Sequence, residues 1–172
     1  MAEEDRRGIG RRRRWSESID ASEDVSGLRG YAPAYGRPLG STTLAWIYQD
    51  EISETARRVL ALVTEAGAWV LSIWRLEVAN GLQTGIRRGR IDTTYRDAAL
   101  SDLALLDIAI DPDTDRYAWT GTLSLADRFR LTLHDAAYLE LAQRRALPLA
   151  SLDMELCDAA RALGLELAAI PG

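Results

Sequence analysis

An α/β fold, built on a parallel sheet with helices over both faces, is what the order of apolar runs in this chain of 172 residues predicts. Three observations carry the prediction. Short apolar runs of strand length recur at 68–71 (AWVL), Ile108–Ile110, 149–152 and 165–169. Segments of helical periodicity lie between them, at 51–66, from Ser72 to near Gly89, at 92–107, at 113–129 and from Thr132 to Arg145. Most of these segments open on a capping residue or close on glycine or basic side chains. Strands that alternate with helices return over the sheet, which makes the strands parallel.

Taken in order, residues 1–37 show no sustained period. They hold RRRR at 11–14, scattered glycines and YAPAYGRP with Pro33 and Pro38. Three readings stand for this extension: a disordered tail, a basic arm that touches RNA, or a mis-started reading frame. The folded domain is expected over 38–172. Residues 40–50 predict a turn and a short apolar helix around Trp46 and Ile47. The next helix has Ser53 as N-cap, a stripe of Val59, Leu60, Leu62 and Val63, and Gly67 at its end. Ser72 is expected to cap the helix that carries Glu77. Asp92 opens a helix with Leu100, Leu103 and Leu106 on its apolar positions. Asp111-Pro112 turns the chain after Ile108–Ile110, and the helix at 113–129 offers Tyr117, Leu123 and Leu125 to the core. Thr132 is expected to cap the helix with Asp135 in its first turn, where the dipole favours a negative charge, and Arg144 and Arg145 suit its C-terminus. Pro148 leads into 149–152, and Asp153 stands where that strand hands over to a helix.

Composition narrows the function classes. Hydrophobic residues make up 47% of the chain, enough for a core. The net charge of −5 argues against broad electrostatic binding to nucleic acid. Residues 1–37 carry eight arginines against seven acidic residues, so the acidic excess lies in the body of the chain. The single cysteine, Cys157, has no internal partner and reads as a small core residue. A reducing, cytoplasmic setting is expected, with no secretory signal and no membrane span.

A carboxylate at the C-terminal end of a strand, beside another at a helix N-terminus, is a layout that ligand sites in parallel sheets use. Taken singly, Asp135 and Asp153 also read as helix-start acids with no ligand, Glu77 and Asp158 as solvated residues, and His134 as a surface residue. Arg87, Arg88 and Arg90 read as a solvated helix end or as contacts for RNA phosphates.

The stretches HDAAYLELA and LPLASLD, with SIWRLEVANGL upstream and LAWIYQDE before it, resemble the PIN-domain ribonucleases, especially the VapC toxins of toxin–antitoxin pairs. The resemblance runs from about Gly40 to the C-terminus. It implies a three-layer α/β/α domain and metal-dependent hydrolysis of RNA with Mg²⁺ or Mn²⁺. It also implies a VapB-like antitoxin as partner and a homodimer. The implied catalytic and metal-binding residues are Glu77, Asp135 and Asp153, with Ser41, Asn80 and Ser151 as supporting donors. The family's first strand and its aspartate do not match: the aspartate position falls on Leu39, and prolines precede it. The upstream SIDAS offers Asp20 as a substitute ligand. A catalytically degenerate protein that binds only an antitoxin or itself is therefore the alternative, and the sheet is expected to have a gap or a poor substitute at its centre.

Overall fold

The computed structural model describes residues 32–33, 43, 46–48, 53–151 and 153–169. The fold is mixed α/β and mostly helical. In order it comprises β1 (Ala32–Pro33), α1 (Glu54–Ala66), β2 (Ala68–Val70), α2 (Trp74–Arg87), α3 (Thr93–Leu103), β3 (Ile108–Ile110) and α4 (Thr114–Tyr117). A π-helical segment (Ala118–Thr122) runs on into α5 (Leu123–Phe129), followed by α6 (Leu133–Arg145), β4 (Leu149–Ala150), α7 (Met154–Ala162) and β5 (Leu167–Ala169).

Local chemistry sets the helix starts. Ser53, Asp92, Thr132 and Asp153 are N-caps, each accepting a backbone N–H from the first turn with its side chain. Gly67 ends α1 at a φ of 73°, a conformation glycine adopts without penalty, and the chain turns directly into β2. The helix carrying Glu77 differs from expectation. Ile73, not Ser72, is its N-cap and makes no side-chain cap bond, while the Ser72 N–H donates to Thr114 Oγ1 at 3.1 Å. The helix predicted to reach residue 107 stops at Leu103.

The helix predicted over 113–129 is broken by five π-helical residues. Gly121 lies in that segment, and a Cβ on it would sit 3.3 Å from Glu140 Cγ. The missing side chain lets the widened turn approach α6. Thr122 is buried there, while Leu123, predicted for the core, stays exposed.

All strand pairs are parallel, as predicted. Ala68–Val70 pairs with Ile108–Ile110 in register, and β1 and β5 flank β4. Among the described residues no ladder joins β2–β3 to β1–β4–β5, although β1 also lies beside β2. Two residues of the N-terminal extension therefore belong to the domain: Ala32 and Pro33 pair with Leu149 and Ala150. No central strand is expected of the proline-containing stretch, and among the described residues β1 ladders with β4 alone. Proline is tolerated because β1 is the edge of its sheet and ladders on one side only.

The core gathers Val59, Val63, Leu71, Leu82, Leu139, Leu141, Leu149 and Leu156 from helices and strands alike. Trp46 and Ile47 are buried in it, and Trp46 Nε1 donates to the Ala56 carbonyl at 3.0 Å. Cys157 is fully buried, as its apolar surroundings in the sequence predict.

Candidate functional site

The carboxylates singled out in the sequence lie where three helices begin. Glu77 is in the first turn of α2, Asp135 in the first turn of α6, and Asp153 caps α7. Asp135 is buried and fixed by its cap: Thr132 Oγ1 donates to Asp135 Oδ2 at 2.5 Å and accepts from the Asp135 N–H at 3.2 Å. Burial pushes the Asp135 carboxyl up, the Thr132 hydrogen bond opposes this, and the nearby Asp153 charge adds to the rise. Asp135 and Asp153 are thus electrostatic neighbours.

Asp153 Oδ1 accepts from the Leu156 N–H at 2.8 Å, so part of its carboxylate serves the helix start. Ser151 is buried, and its hydroxyl accepts from the Asp153 N–H at 3.0 Å. It positions the backbone and is not a donor to the carboxylate, which corrects the expected role.

Glu77 is the unusual member. Its side chain keeps only 11% of its exposure, and neither carboxylate oxygen has a hydrogen-bond partner. The nearest charged-type neighbour is His134, with Nε2 3.5 Å from Glu77 Oε1. Burial pushes the Glu77 carboxyl up and His134 pulls it down. Asn80 is exposed and donates nothing to these oxygens, against expectation. His134 is half-exposed, as a surface residue should be, but its contact with Glu77 was not legible in the sequence. It also sits next to Asp135, and so connects the two carboxylates.

These groups share one region, yet among the described residues no three His, Cys, Asp or Glu side chains form a group able to hold a metal ion. Asp20, Leu39 and Ser41 lie outside the described residues. The Glu77 oxygens nevertheless fit a hard cation, which takes oxygen ligands and would supply the partner that a buried carboxylate otherwise lacks. Asp158 is exposed and pairs with Arg161 at 2.7 Å. Arg87 and Arg88 are exposed at the end of α2, and the Arg90 guanidinium stacks over the Tyr48 ring at 4.2 Å.

A polar cluster that the sequence reading missed ties down the other end of α6. Asp111, fully buried, accepts from Arg144 Nη2 at 2.8 Å and from Arg145 Nη2 at 2.8 Å. Arg145 lies over the Trp69 ring at 3.5 Å and Arg144 over Tyr117 at 4.5 Å. Arg144 also bonds Glu140 at 2.8 Å. In sequence Asp111-Pro112 reads as a turn and the arginines as helix-end charges; only the tertiary structure brings them together.

No protein-family model matches the chain, and no curated protein matches it. Among solved structures it is similar to PAE2754 from Pyrobaculum aerophilum. The TM-score is 0.48, with 21% identity, over 77% of this chain and 86% of that one. Among the described residues no helix is long and apolar enough to cross a membrane.

Proposed function

We propose that this protein is a metal-dependent endoribonuclease of PIN type, the toxin component of a VapBC-like pair, with a three-layer α/β/α domain and an antitoxin as its partner. The observation that carries the reading is the buried Glu77 carboxylate with two unpartnered oxygens, beside His134 at the start of α6. An anion buried in this way is stabilised by a cation. Glu77, Asp135 and Asp153 would hold Mg²⁺ or Mn²⁺ directly or through water, and the ion would supply Lewis acidity toward an RNA phosphodiester. The chain's own contribution is orientation. Thr132 fixes Asp135, and the cap bond to Leu156 fixes Asp153.

A second reading has its own support. The aspartate position of the family's first strand falls on Leu39, and Asp153 is partly engaged in capping. Both favour a degenerate protein that binds an antitoxin or a second copy without cleaving RNA. Calorimetric titration with Mn²⁺ and cleavage of structured RNA separate the two. The proposal expects heat of binding and cleavage that Asp135→Asn abolishes. A chain that takes up no Mn²⁺ and leaves RNA intact sinks it in favour of the second reading. Loss of cleavage in Asp20→Asn would assign the missing ligand to the upstream SIDAS.

A further inference from the structure

Among the described residues Tyr138 is the largest of the fully buried side chains, and its place on α6 links it to Glu77. It follows His134 by four residues and Asp135 by three, so the three side chains stack on one helical face. His134 Nε2 lies 3.5 Å from Glu77 Oε1, so this is the face turned toward α2. Tyr138 is 1% exposed, and its hydroxyl donates no hydrogen bond, with only the Leu71 backbone acting on the oxygen. Neither oxygen of Glu77 accepts one. A buried donor and a buried acceptor pair, each without a partner, therefore share one interface between α2 and α6. Such groups are rare in folded proteins, and each one costs stability unless something satisfies it.

The chemistry of the two groups is complementary. A carboxylate accepts only, and a phenol has one proton to donate. The Glu77 charge acts on the phenol, which burial and that carboxylate together push well above its ordinary range while the Leu71 backbone opposes. A backbone group that offsets the rise leaves the hydroxyl proton itself free to be given to another acceptor. A phenylalanine would fill the same space without the hydroxyl, so packing alone does not explain the oxygen.

We infer that Tyr138 is a positioning residue for Glu77, its hydroxyl holding the carboxylate through one bridging water. The inference deepens the metal-site reading and rests on it for its functional meaning: a carboxylate held from the Tyr138 side is fixed at the interface that His134 and Asp135 share on α6. Tyr138 itself touches neither substrate nor metal. A water in this position has the two or more polar partners that buried waters require.

The test uses the full chain at neutral pH. Tyr138→Phe keeps the ring and removes one oxygen. The carboxyl-carbon NMR resonance of Glu77, assigned by its loss in Glu77→Gln, is expected to move in Tyr138→Phe. Mn²⁺ affinity is expected to fall about tenfold, the effect of one hydrogen bond to a charged group. The resonance needs no metal, so a wild-type chain that takes up no Mn²⁺ removes the metal reading while the resonance still decides the positioning role. Should Tyr138→Phe not fold, Glu77→Gln gives the reciprocal measurement, in which the Cζ resonance of the intact Tyr138 is expected to move. An unmoved Glu77 resonance in folded Tyr138→Phe, or an unmoved Tyr138 Cζ resonance in Glu77→Gln, overturns the proposal.

Discussion

Replacing Asp111 by asparagine removes one charge and almost no volume, at a position where two arginines converge. Asp111 follows β3, and its N–H donates to the Val70 carbonyl at 2.8 Å, so the residue is anchored to both β2 and β3. Its carboxylate accepts four bonds from Arg144 and Arg145, between 2.8 and 3.2 Å. Removing one partner of a buried ion pair costs about 3–5 kcal/mol, because the other charge is left uncompensated. Here the arginines keep 19% and 24% of their side-chain exposure, so both reach water and part of the loss is screened. Glu140 also retains Arg144. The expected loss is therefore about 2–4 kcal/mol, read as a fall of about 1–2 M in the urea midpoint with an unchanged slope. Burial alone would raise the Asp111 carboxyl, but the hydrogen bonds and charges of Arg144 and Arg145 more than reverse this and hold it below its ordinary value. A carboxyl depressed in the folded state stabilises the fold above its unfolded pKa, and that contribution is lost as pH falls through the folded value. The gap between wild type and Asp111→Asn should accordingly be constant near neutrality and close below about pH 4. A loss under about 1 kcal/mol at neutral pH would place the cluster with ordinary surface pairs and refute the reasoning.

Three further outcomes are expected. Gly85→Ala places a methyl group against the Tyr48 hydroxyl, so it should destabilise by about 1–3 kcal/mol in urea unfolding, and Tyr48→Phe in the same chain should recover part of the loss. Full additivity of the two changes would show that they do not meet. Thr132→Ala removes both the α6 cap and the donor to Asp135, and should cost about 1 kcal/mol or somewhat more; an unchanged thermal midpoint would deny the cap its role. Glu77→Gln, measured with a chelator present, should raise stability by about 1 kcal/mol by removing a buried charge that faces only a half-exposed histidine, and a lowered urea midpoint would mean that a charged partner stabilises the carboxylate.

Much of this structure was legible because its causes are local. Ser53, Thr132 and Gly67 announce helix ends through their own backbone and side-chain chemistry, and they act as sequence predicts. The apolar run at 68–71 gives β2, largely buried, and Ile108–Ile110 gives β3, half-buried, because apolar runs of that length favour strands packed on a core. The site was legible only as a list. Glu77, Asp135 and Asp153 could be named, but the engagement of Asp153 in capping, the exposure of Asn80 and the lack of partners around Glu77 depend on how α2 and α6 face each other. The π-helical break had a trace in Gly121, whose meaning requires knowing that Glu140 lies opposite. The convergence of Asp111, Arg144 and Arg145 spans more than thirty residues of sequence and has no local signature.

The N-terminal strand shows how far a local rule reaches. Pro33 cannot donate to a ladder, and from this no central strand is expected at 30–39. The rule forbids pairing through the proline nitrogen; it does not forbid an edge. β1 pairs with β4 on one side, and among the described residues no ladder forms toward β2 on the other. One link between the β2–β3 side and β4 that the described residues do show passes through α6. Its first turns carry the groups that meet Glu77 from α2, and its last turn grips Asp111 at the end of β3. A helix fastened at both ends to the β2–β3 side, and followed directly by β4, ties the two sheets together. On this argument the Asp111 cluster and the Glu77 interface are coupled, since loosening either end frees the same rigid element.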